Sequence, residues 1–390
     1  MFKYIIITFL TISLAYSQSY EEALNQIRAN NKDIKSYKEY LNSINIGSST
    51  NNLPLNPSIE YSYLSPNESS LGNKQEFIIS FPFEFPTVYS LKSDISSLQG
   101  SVNKFNMKEF EKNILQSAQN LLIEYIYQKR KNDEQAKRYD LAENMLKIVQ
   151  IKFDKGDIGI LELNKSKSAL SIAKSKLNMI KIEMNSTLSE LINLNGGENL
   201  QLNFSDYQQI DLERNFDLLF TKLKEADYQN QSLEEDKKLF EKKLSLAKSG
   251  WLPDFGLGYR QDTENDFKYN GVRLQMSLPI FENTNKVPMA ESELNFADLR
   301  LQSYNSKFYI ENKMLFDKLV NLKISLDEQR SLVDFSQLEL NQKSYQLGHI
   351  SLTQFYIDNT IYYEIIDSIL ELEKEYNKIS GKLMVEMIQL

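Results

Sequence analysis

The sequence predicts a mainly helical chain that also carries four β-strands of membrane-crossing length. Gly and Pro are scarce, with 13 and 8 among 390 residues, and so few breaks favour long helices. All the prolines fall into two windows, Pro54–Pro86 and Pro253–Pro288, which leaves long stretches without any proline. Inside the windows, apolar and polar residues alternate with a period of two, which is typical of strands.

The proline-free stretches have the composition and periodicity of long, packed helices. They cover residues 19–50, 88–192, 212–249 and 289–390. Apolar residues recur every seven positions in two of them, at Leu163, Leu170, Leu177, Met184 and Leu191, and at Leu319, Leu326, Val333, Leu340 and Leu347. Such heptads predict coiled-coil packing, although a soluble helical bundle uses similar spacing. Length favours the coiled coil, because an unbroken helix over 88–153 would be about 100 Å long.

Each proline window predicts one β-hairpin, the first over residues 57–84 and the second over 253–281. We expect the polar loops Ser65–Lys74 and Gln261–Asn270 to join the strands. A strand of ~9–11 residues is long enough to cross an outer membrane when tilted. The residues on the apolar face, which we expect to contact lipid, are Ile59, Tyr61, Phe77, Ile79, Phe255, Leu257, Val272 and Leu274.

The two halves of the sequence match each other in order, which predicts an internal duplication. The matching fragments are Leu53-Pro54 with Leu252-Pro253, Phe81-Pro82 with Leu278-Pro279, and Lys155-Gly156 with Leu347-Gly348. We predict a first repeat over 18–195, a linker over 196–211 and a second repeat over 212–390. Each repeat would contain a helix, a hairpin, a long helix, a glycine turn and a second long helix.

Residues 1–17 are expected to be a secretory signal peptide. Lys3 precedes a short apolar run over 4–14, and Ala15-Tyr16-Ser17 is a small-x-small cleavage site. A buried N-terminal strand is the alternative. No Cys follows the apolar run, so we expect an exported protein that is not lipid-anchored.

The composition disfavours several classes of function. With no Cys and one His, His349, the chain lacks the groups for thiol catalysis, Cys-ligated zinc or a His-rich metal site. An all-carboxylate metal site stays open. The net charge of −8 argues against a nucleic-acid partner. No catalytic grouping stands out, so we expect neither an enzyme nor a cofactor, and we assign no metal site.

These features together resemble the outer membrane efflux protein (TolC-like) family. The resemblance rests on the order of elements, the duplication, the fragments quoted above, and the turns Phe153–Gly156 and Tyr345–Gly348. Residues 56–61 and 85–89 are most similar to the cobalt–zinc–cadmium resistance (CzcC-like) branch of that family.

The resemblance implies a homotrimer in the outer membrane of a Gram-negative bacterium, extending into the periplasm. Twelve strands from three chains would form a transmembrane β-barrel in contact with outer-membrane lipid, and the long helices would form a periplasmic α-barrel. The chain would be the exit duct of a tripartite efflux system, fed by an inner-membrane efflux pump through a periplasmic adaptor protein. A secreted or periplasmic coiled-coil scaffold or adaptor is the alternative, although such a protein has no need of membrane-length aromatic strands.

The resemblance also implies roles for residues at the two glycine turns. Gly156 and Gly348 would mark the tip that docks the adaptor. Links between Glu162 and Tyr345 would close the tip. Two acidic rings of the family correspond here to Gln354 and Ile357, with Asp358 one place further on. Simpler interpretations are a solvated charge for Glu162, a coiled-coil flank for Tyr345 and plain chain reversal for the two glycines.

Overall fold

The computed structural model describes residues 20–50, 52–68, 72–279, 281, 283–334 and 336–390. The signal peptide predicted over 1–17 lies outside these residues. The elements follow in the order α1 (Tyr20–Asn30), α2 (Lys32–Thr50), β1 (Ser58–Leu64), β2 (Lys74–Phe83), α3 (Pro86–Asp154), α4 (Ile160–Leu194), α5 (Phe216–Glu225), α6 (Tyr228–Ser249), β3 (Asp254–Glu264), β4 (Phe267–Ser277), α7 (Lys286–Leu332), α8 (Gln337–Gln346) and α9 (Leu352–Glu386). The predicted fold class, long helices with four strands, is confirmed.

The chain divides into two compact units, each built from segments that are distant in sequence. The helical unit contains the described residues up to Ile34, Glu111–Leu223 and Lys313–Gln389. The sheet unit contains Lys35–Phe110 and Lys224–Asn312, together with Leu390. Both predicted repeats contribute to both units, so the unit boundaries differ from the repeat boundaries, and the duplication itself stays a prediction.

The long helices begin earlier than the proline-free stretches predict. Helix α3 has 69 residues, about 100 Å at 1.5 Å per residue, and its first residue is Pro86. Helix α7 starts at Lys286, so Pro288 lies in its first turn. Proline is tolerated there because the first backbone N–H groups of a helix have no intrahelical partner.

Two stretches predicted as single helices are each divided in two by a capping side chain. Asn31 follows α1, and its Oδ1 accepts a hydrogen bond of 2.9 Å from the N–H of Ile34 in α2. Asp227 lies between α5 and α6, and its Oδ1 accepts one of 2.9 Å from the N–H of Asn230. Both side chains serve as N-caps, which favours a helix start at a position where composition alone predicts continuity.

The heptad pattern around Val333 also crosses a break. Helix α7 ends at Leu332 and α8 begins at Gln337. The carboxylate of Asp334 accepts hydrogen bonds from the backbone N–H of Ser336 at 2.9 Å and from its hydroxyl at 2.7 Å. These bonds hold the pKa of Asp334 below its usual range, and they stabilise a turn inside the predicted coiled coil.

The strands form one antiparallel sheet in the order β1-β2-β3-β4. Strands β3 and β4 have 11 residues each and are joined at Asn265 and Asp266, whose φ angles are 50° and 66°. Two consecutive residues with positive φ make a tight hairpin turn whose twist matches that of the strands. The prediction of a loop over 261–270 is therefore wrong, because most of these polar residues belong to the strands.

The two predicted glycine turns adopt the same backbone motif. Gly156 and Gly348 have φ angles of 80° and 76°. The N–H of the next residue reaches back five positions in each case, from Asp157 to the carbonyl of Lys152 at 2.9 Å and from His349 to that of Ser344 at 2.8 Å. This is the Schellman motif, which ends a helix at a left-handed residue.

Replacing Gly156 by Ala should lower the free energy of unfolding by about 1–2 kcal/mol, because an L-residue is strained at this positive φ. A Cβ at this position meets no atom within 4 Å, so no steric term adds to the cost. Gly100, inside α3, has equally open space, and Gly100→Ala should instead stabilise by about 0.5–1 kcal/mol. Thermal unfolding followed by circular dichroism compares the two variants, and a shift of the same sign in both would contradict the explanation.

Candidate functional site

The first candidate site is the turn cluster, where two helix ends meet two helix starts within the helical unit. Its buried residues come from the end of α3, the start of α4, the end of α8 and the start of α9. They are Met145, Val149, Leu163, Tyr345, Leu352 and Phe355. Apolar packing therefore fixes both glycine turns against each other.

Tyr345, predicted to be a gate residue, lies inside this cluster. It is 4% exposed, and its ring centroid is 6.0 Å from that of Phe355. The Lys152 ammonium lies 4.3 Å from the ring centroid, in cation–π geometry. The Tyr345 hydroxyl is buried and has no hydrogen-bond partner in the described part of the chain. Burial raises the pKa of Tyr345, and the nearby Tyr356 and Glu162 raise it further.

Glu162, the predicted partner of Tyr345, is bonded within its own helix. Its Oε2 accepts a hydrogen bond of 2.9 Å from the backbone N–H of Gly159, the N-cap residue of α4. This is the reciprocal half of a capping box, in which an acidic side chain satisfies a free helix-start donor. Because the Tyr345 hydroxyl has no partner among the described residues, the predicted hydrogen bond to Glu162 is not formed within one chain.

Gln354 and Asp358, the other predicted tip residues, contact each other one helical turn apart on α9. The Gln354 Nε2 donates a hydrogen bond of 2.6 Å to the Asp358 Oδ1. The backbone N–H of Gln354 donates to the Oγ of Ser351, which caps the helix. The pair thus forms a local polar patch on α9. Nowhere among the described residues do three or more potential metal ligands cluster.

The second candidate site is the apolar face of the sheet. The register aligns Ile59 with Ile79, Ile79 with Tyr259, and Tyr259 with Val272. Side chains directly opposite each other share a face, so this register places all the predicted lipid-facing residues on the same side. Val272 and Leu274 are 76% and 81% exposed, so in the chain by itself this face is not covered.

The opposite face of the sheet is polar and ion-paired. Arg260 forms ion pairs with Glu76 at 2.7 Å and with Asp262 at 2.9 Å. Arg273 lies 3.9 Å from Glu60 on the same face. One apolar face and one charged face are what a sheet requires when lipid lies on one side and water on the other.

The helical unit contains an ion cluster around one buried carboxylate, which the sequence reasoning missed. Glu373 of α9 has a side chain that is 5% exposed and lies between two arginines. Arg130 of α3 approaches it at 2.7 Å, and Arg330 of α7 forms a second ion pair with it. Charged residues are frequent on all these helices. The sequence spacing of Arg130, Arg330 and Glu373 does not differ from that of charged residues that face solvent, so no sequence signal identified this cluster.

Several helices also expose apolar side chains in regular rows. On α7, Phe296, Ile310 and Ile324 recur at intervals of two heptads and are 60%, 63% and 51% exposed. None of the helices in the described part of the chain combines the length and apolar character that a membrane span requires. These rows match the seam of a coiled coil, which packs against a further helix.

No protein-family model matches the chain, and no curated protein sequence does. Solved structures of membrane proteins are similar to it over most of their length. A membrane protein from Pseudomonas aeruginosa has a TM-score of 0.78 and 11% identity, over 94% of this chain and 89% of that one. A structure of CusC, from work on its folding and transmembrane channel formation, has a TM-score of 0.72 and 12% identity, over 94% of this chain and 91% of that one. The CmeC outer membrane channel of Campylobacter jejuni has a TM-score of 0.71 and 15% identity, over 94% and 85%. At these identities the similarity establishes a shared fold.

Proposed function

We propose that the protein is an outer-membrane channel, the exit duct of a tripartite efflux system. The observation that carries this proposal is the sheet, with strands of up to 11 residues, an exposed apolar face and an ion-paired polar face. The shared fold with outer membrane channels supports it.

The unpaired edges of the sheet require more than one copy of the chain in a membrane. Strands β1 and β4 are at the two ends of the strand order, so each has one edge without a partner strand among the described residues. In lipid, every backbone N–H and C=O needs a partner, so the sheet must close. Two copies would give a barrel of about eight strands, whose interior fills with side chains. Three copies give twelve strands and leave space for transport.

The same assembly would cover the exposed rows of apolar side chains on the helices. Phe296, Ile310 and Ile324 on α7 would pack against a neighbouring copy as coiled-coil seams do. We propose that the helices of three copies line a periplasmic tunnel. A coiled-coil scaffold or adaptor would also use such seams, but it leaves the apolar face of the sheet without a function.

The partners follow from this role. We propose that the turns at Gly156 and Gly348 dock a periplasmic adaptor protein, which connects the duct to an inner-membrane efflux pump. The exported substrate is set by the pump, because a water-filled duct need not bind its cargo. Membership of the CzcC-like branch stays a prediction.

Conductance in planar lipid bilayers tests the proposed function. Purified protein should insert and produce uniform current steps, because each closed barrel is one water-filled pore. Heat-modifiable migration on a denaturing gel confirms independently that the barrel is folded. Folded protein that inserts but produces no current steps would contradict the role of a duct.

We further propose that Tyr345 closes the tip in the assembled trimer after its side chain turns out of the turn cluster, because in the chain by itself its hydroxyl is buried and has no hydrogen-bond partner among the described residues. Tyr345→Phe should then leave chain stability unchanged within ~1 kcal/mol and raise the single-channel conductance. Tyr356→Phe, one turn into α9, is the matched control and should conduct as the wild type does. Equal conductance in all three proteins would leave Tyr345 as a packing residue only.

A further inference from the structure

We infer that the sheet unit packs against a second copy of the chain through α2 and α7, with Ile46 of one copy in contact with Leu299 of the next. The inference rests on the proposed function and deepens it, because it names the two helices that join neighbouring copies of the duct. It is carried by the lateral order of the helices, by their relative heights and by the exposure of these two side chains.

The helices of the sheet unit lie side by side in the same order as the strands. Each neighbouring pair is joined by a polar side-chain contact: Asn45 with Asn103 at 2.6 Å, Asp94 with Lys242 at 2.8 Å, and Lys237 with Asp298 at 2.6 Å. These contacts give a helical wall in the order α2-α3-α6-α7. Because α2 precedes β1, α3 follows β2, α6 precedes β3 and α7 follows β4, the wall repeats the strand order.

Closure of the sheet between copies would bring the two edges of the helical wall together. Helix α2 is connected to β1 and helix α7 to β4, in each case by a short segment. A junction of β4 with β1 of the next copy therefore places α7 beside α2 of that copy. Such a contact is heterologous, because the two copies use different surfaces, and three of these contacts close a ring.

Ile46 and Leu299 lie at the same height, measured along the helices of the wall. Four contacts bracket the middle of α3 from both sides: Asn103 with Asn45, Ser96 with Ser48, Asp94 with Lys242, and Asn106 with Ser232. Gly100, halfway between them on α3, is thus level with Ile46 on one side and with Lys237 on the other. Lys237 pairs with Asp298, the residue that precedes Leu299.

Both side chains point away from the neighbouring helix of their own chain. Ile46 is about 140° around α2 from the buried Leu41, and Leu299 is about 200° around α7 from the buried Ala297, at 3.6 residues per turn. Ile46 is 67% exposed and Leu299 is 65% exposed. Each edge of the wall therefore presents one large apolar side chain at the height of the other.

Small residues beside Ile46 allow a further helix to approach α2 closely. Ser43 and Gly47 are exposed and lie on the same side of the helix. A Cβ built at Gly47 would meet no atom within 4 Å among the described residues. The distance between packed helices depends on the side chains at the contact, so small ones leave room for Leu299 of the neighbouring copy.

Cysteine cross-linking of the full-length protein in lipid bilayers tests the inference. Ile46→Cys combined with Leu299→Cys should be converted by oxidation into covalent dimers and trimers on a denaturing gel, because facing residues of packed helices are within reach of a disulfide. A flexible bismaleimide, which spans a longer distance than a disulfide, is applied in parallel. A small offset between the helices then does not hide the contact.

Two kinds of control define the contact. Each single variant should stay monomeric under oxidation, since a heterologous contact in a ring of three keeps identical positions apart. Ile46→Cys combined with Ile310→Cys should also stay monomeric. Ile310 is 63% exposed, but it lies eleven residues beyond Leu299, about 16 Å further along α7.

The outcomes separate this inference from the proposed function. Dimers of the single variants, or equal yields from the Ile310 and Leu299 pairs, would overturn the inference. A Leu299 pair that reacts with neither reagent, in protein that conducts in bilayers, would overturn it as well and leave the duct intact. Folded protein whose Leu299 pair cross-links but which produces no current steps would support the contact and refute the duct.

Discussion

Glu373→Gln is expected to lower the free energy of unfolding by about 2–3 kcal/mol, the loss of charge-assisted hydrogen bonds to a buried carboxylate. The carboxylate is 5% exposed and lies between Arg130 and Arg330. Its neutral replacement would leave the guanidinium groups of Arg130 and Arg330, which are 32% and 46% exposed, without their counter-charge. A glutamine also cannot accept hydrogen bonds from both as well as a carboxylate does. Three helices, α3, α7 and α9, would lose a shared contact.

Thermal unfolding of the purified protein, followed by circular dichroism, measures this effect. The midpoint should fall by about 2–4 °C. Glu375→Gln is the matched control, because Glu375 is two residues further along α9, is 36% exposed and forms an ion pair with the exposed Lys318. That change should cost less than about 1 kcal/mol. Similar midpoints for the two variants would show that the Glu373 cluster does not stabilise the helical unit.

Leu274→Arg is expected to hinder membrane assembly by about 2–4 kcal/mol if the residue lies near the middle of the bilayer. Leu274 is 81% exposed in the chain by itself, and on the surface of a water-soluble protein the same change would cost almost nothing. The predicted loss therefore arises only when lipid covers the apolar face.

Folding into lipid vesicles in increasing urea measures the loss. Gln275→Arg, on the next residue and the opposite face of β4, is the control and should fold as the wild type does. A normal folding yield for Leu274→Arg would indicate that the apolar face meets water or protein in the assembled state.

Periodic patterns predicted most of the fold. The period of two identified both hairpins, and the register then aligned the residues assigned to the apolar face, as the pairs Tyr61 with Phe77 and Leu257 with Leu274 show. The heptads correctly indicated long helices, and Leu163 lies in the buried turn cluster. These patterns succeed because burial on one side of an element constrains every second or every seventh residue.

The errors arose where a single polar side chain decides the local conformation. Asn31 and Asp227 end one helix and begin another, although the surrounding composition favours continuity. Asn265 and Asp266 make a two-residue turn inside a polar run that resembles a loop. The Glu373 cluster was not predictable for a different reason, since its residues are brought together only by the packing of distant helices.

Closure of the sheet between copies is the central claim, and disulfide cross-linking tests it most directly. The natural sequence has no Cys, so an engineered pair is unambiguous. Ser62→Cys in β1 is combined in turn with Tyr269→Cys, Gly271→Cys and Arg273→Cys, which lie on the same face of β4. Ser62→Cys with Glu76→Cys, which are directly opposite within one chain, is the control that must form an intrachain bond.

After oxidation in the membrane, at least one β1–β4 pair should give covalent dimers and trimers on a denaturing gel, with no species larger than a trimer. A closed ring of three chains has three β1–β4 junctions, so cross-linking can join two or three chains but no more. A control pair that oxidises fully while every β1–β4 pair stays monomeric would contradict a sheet that continues from one copy to the next.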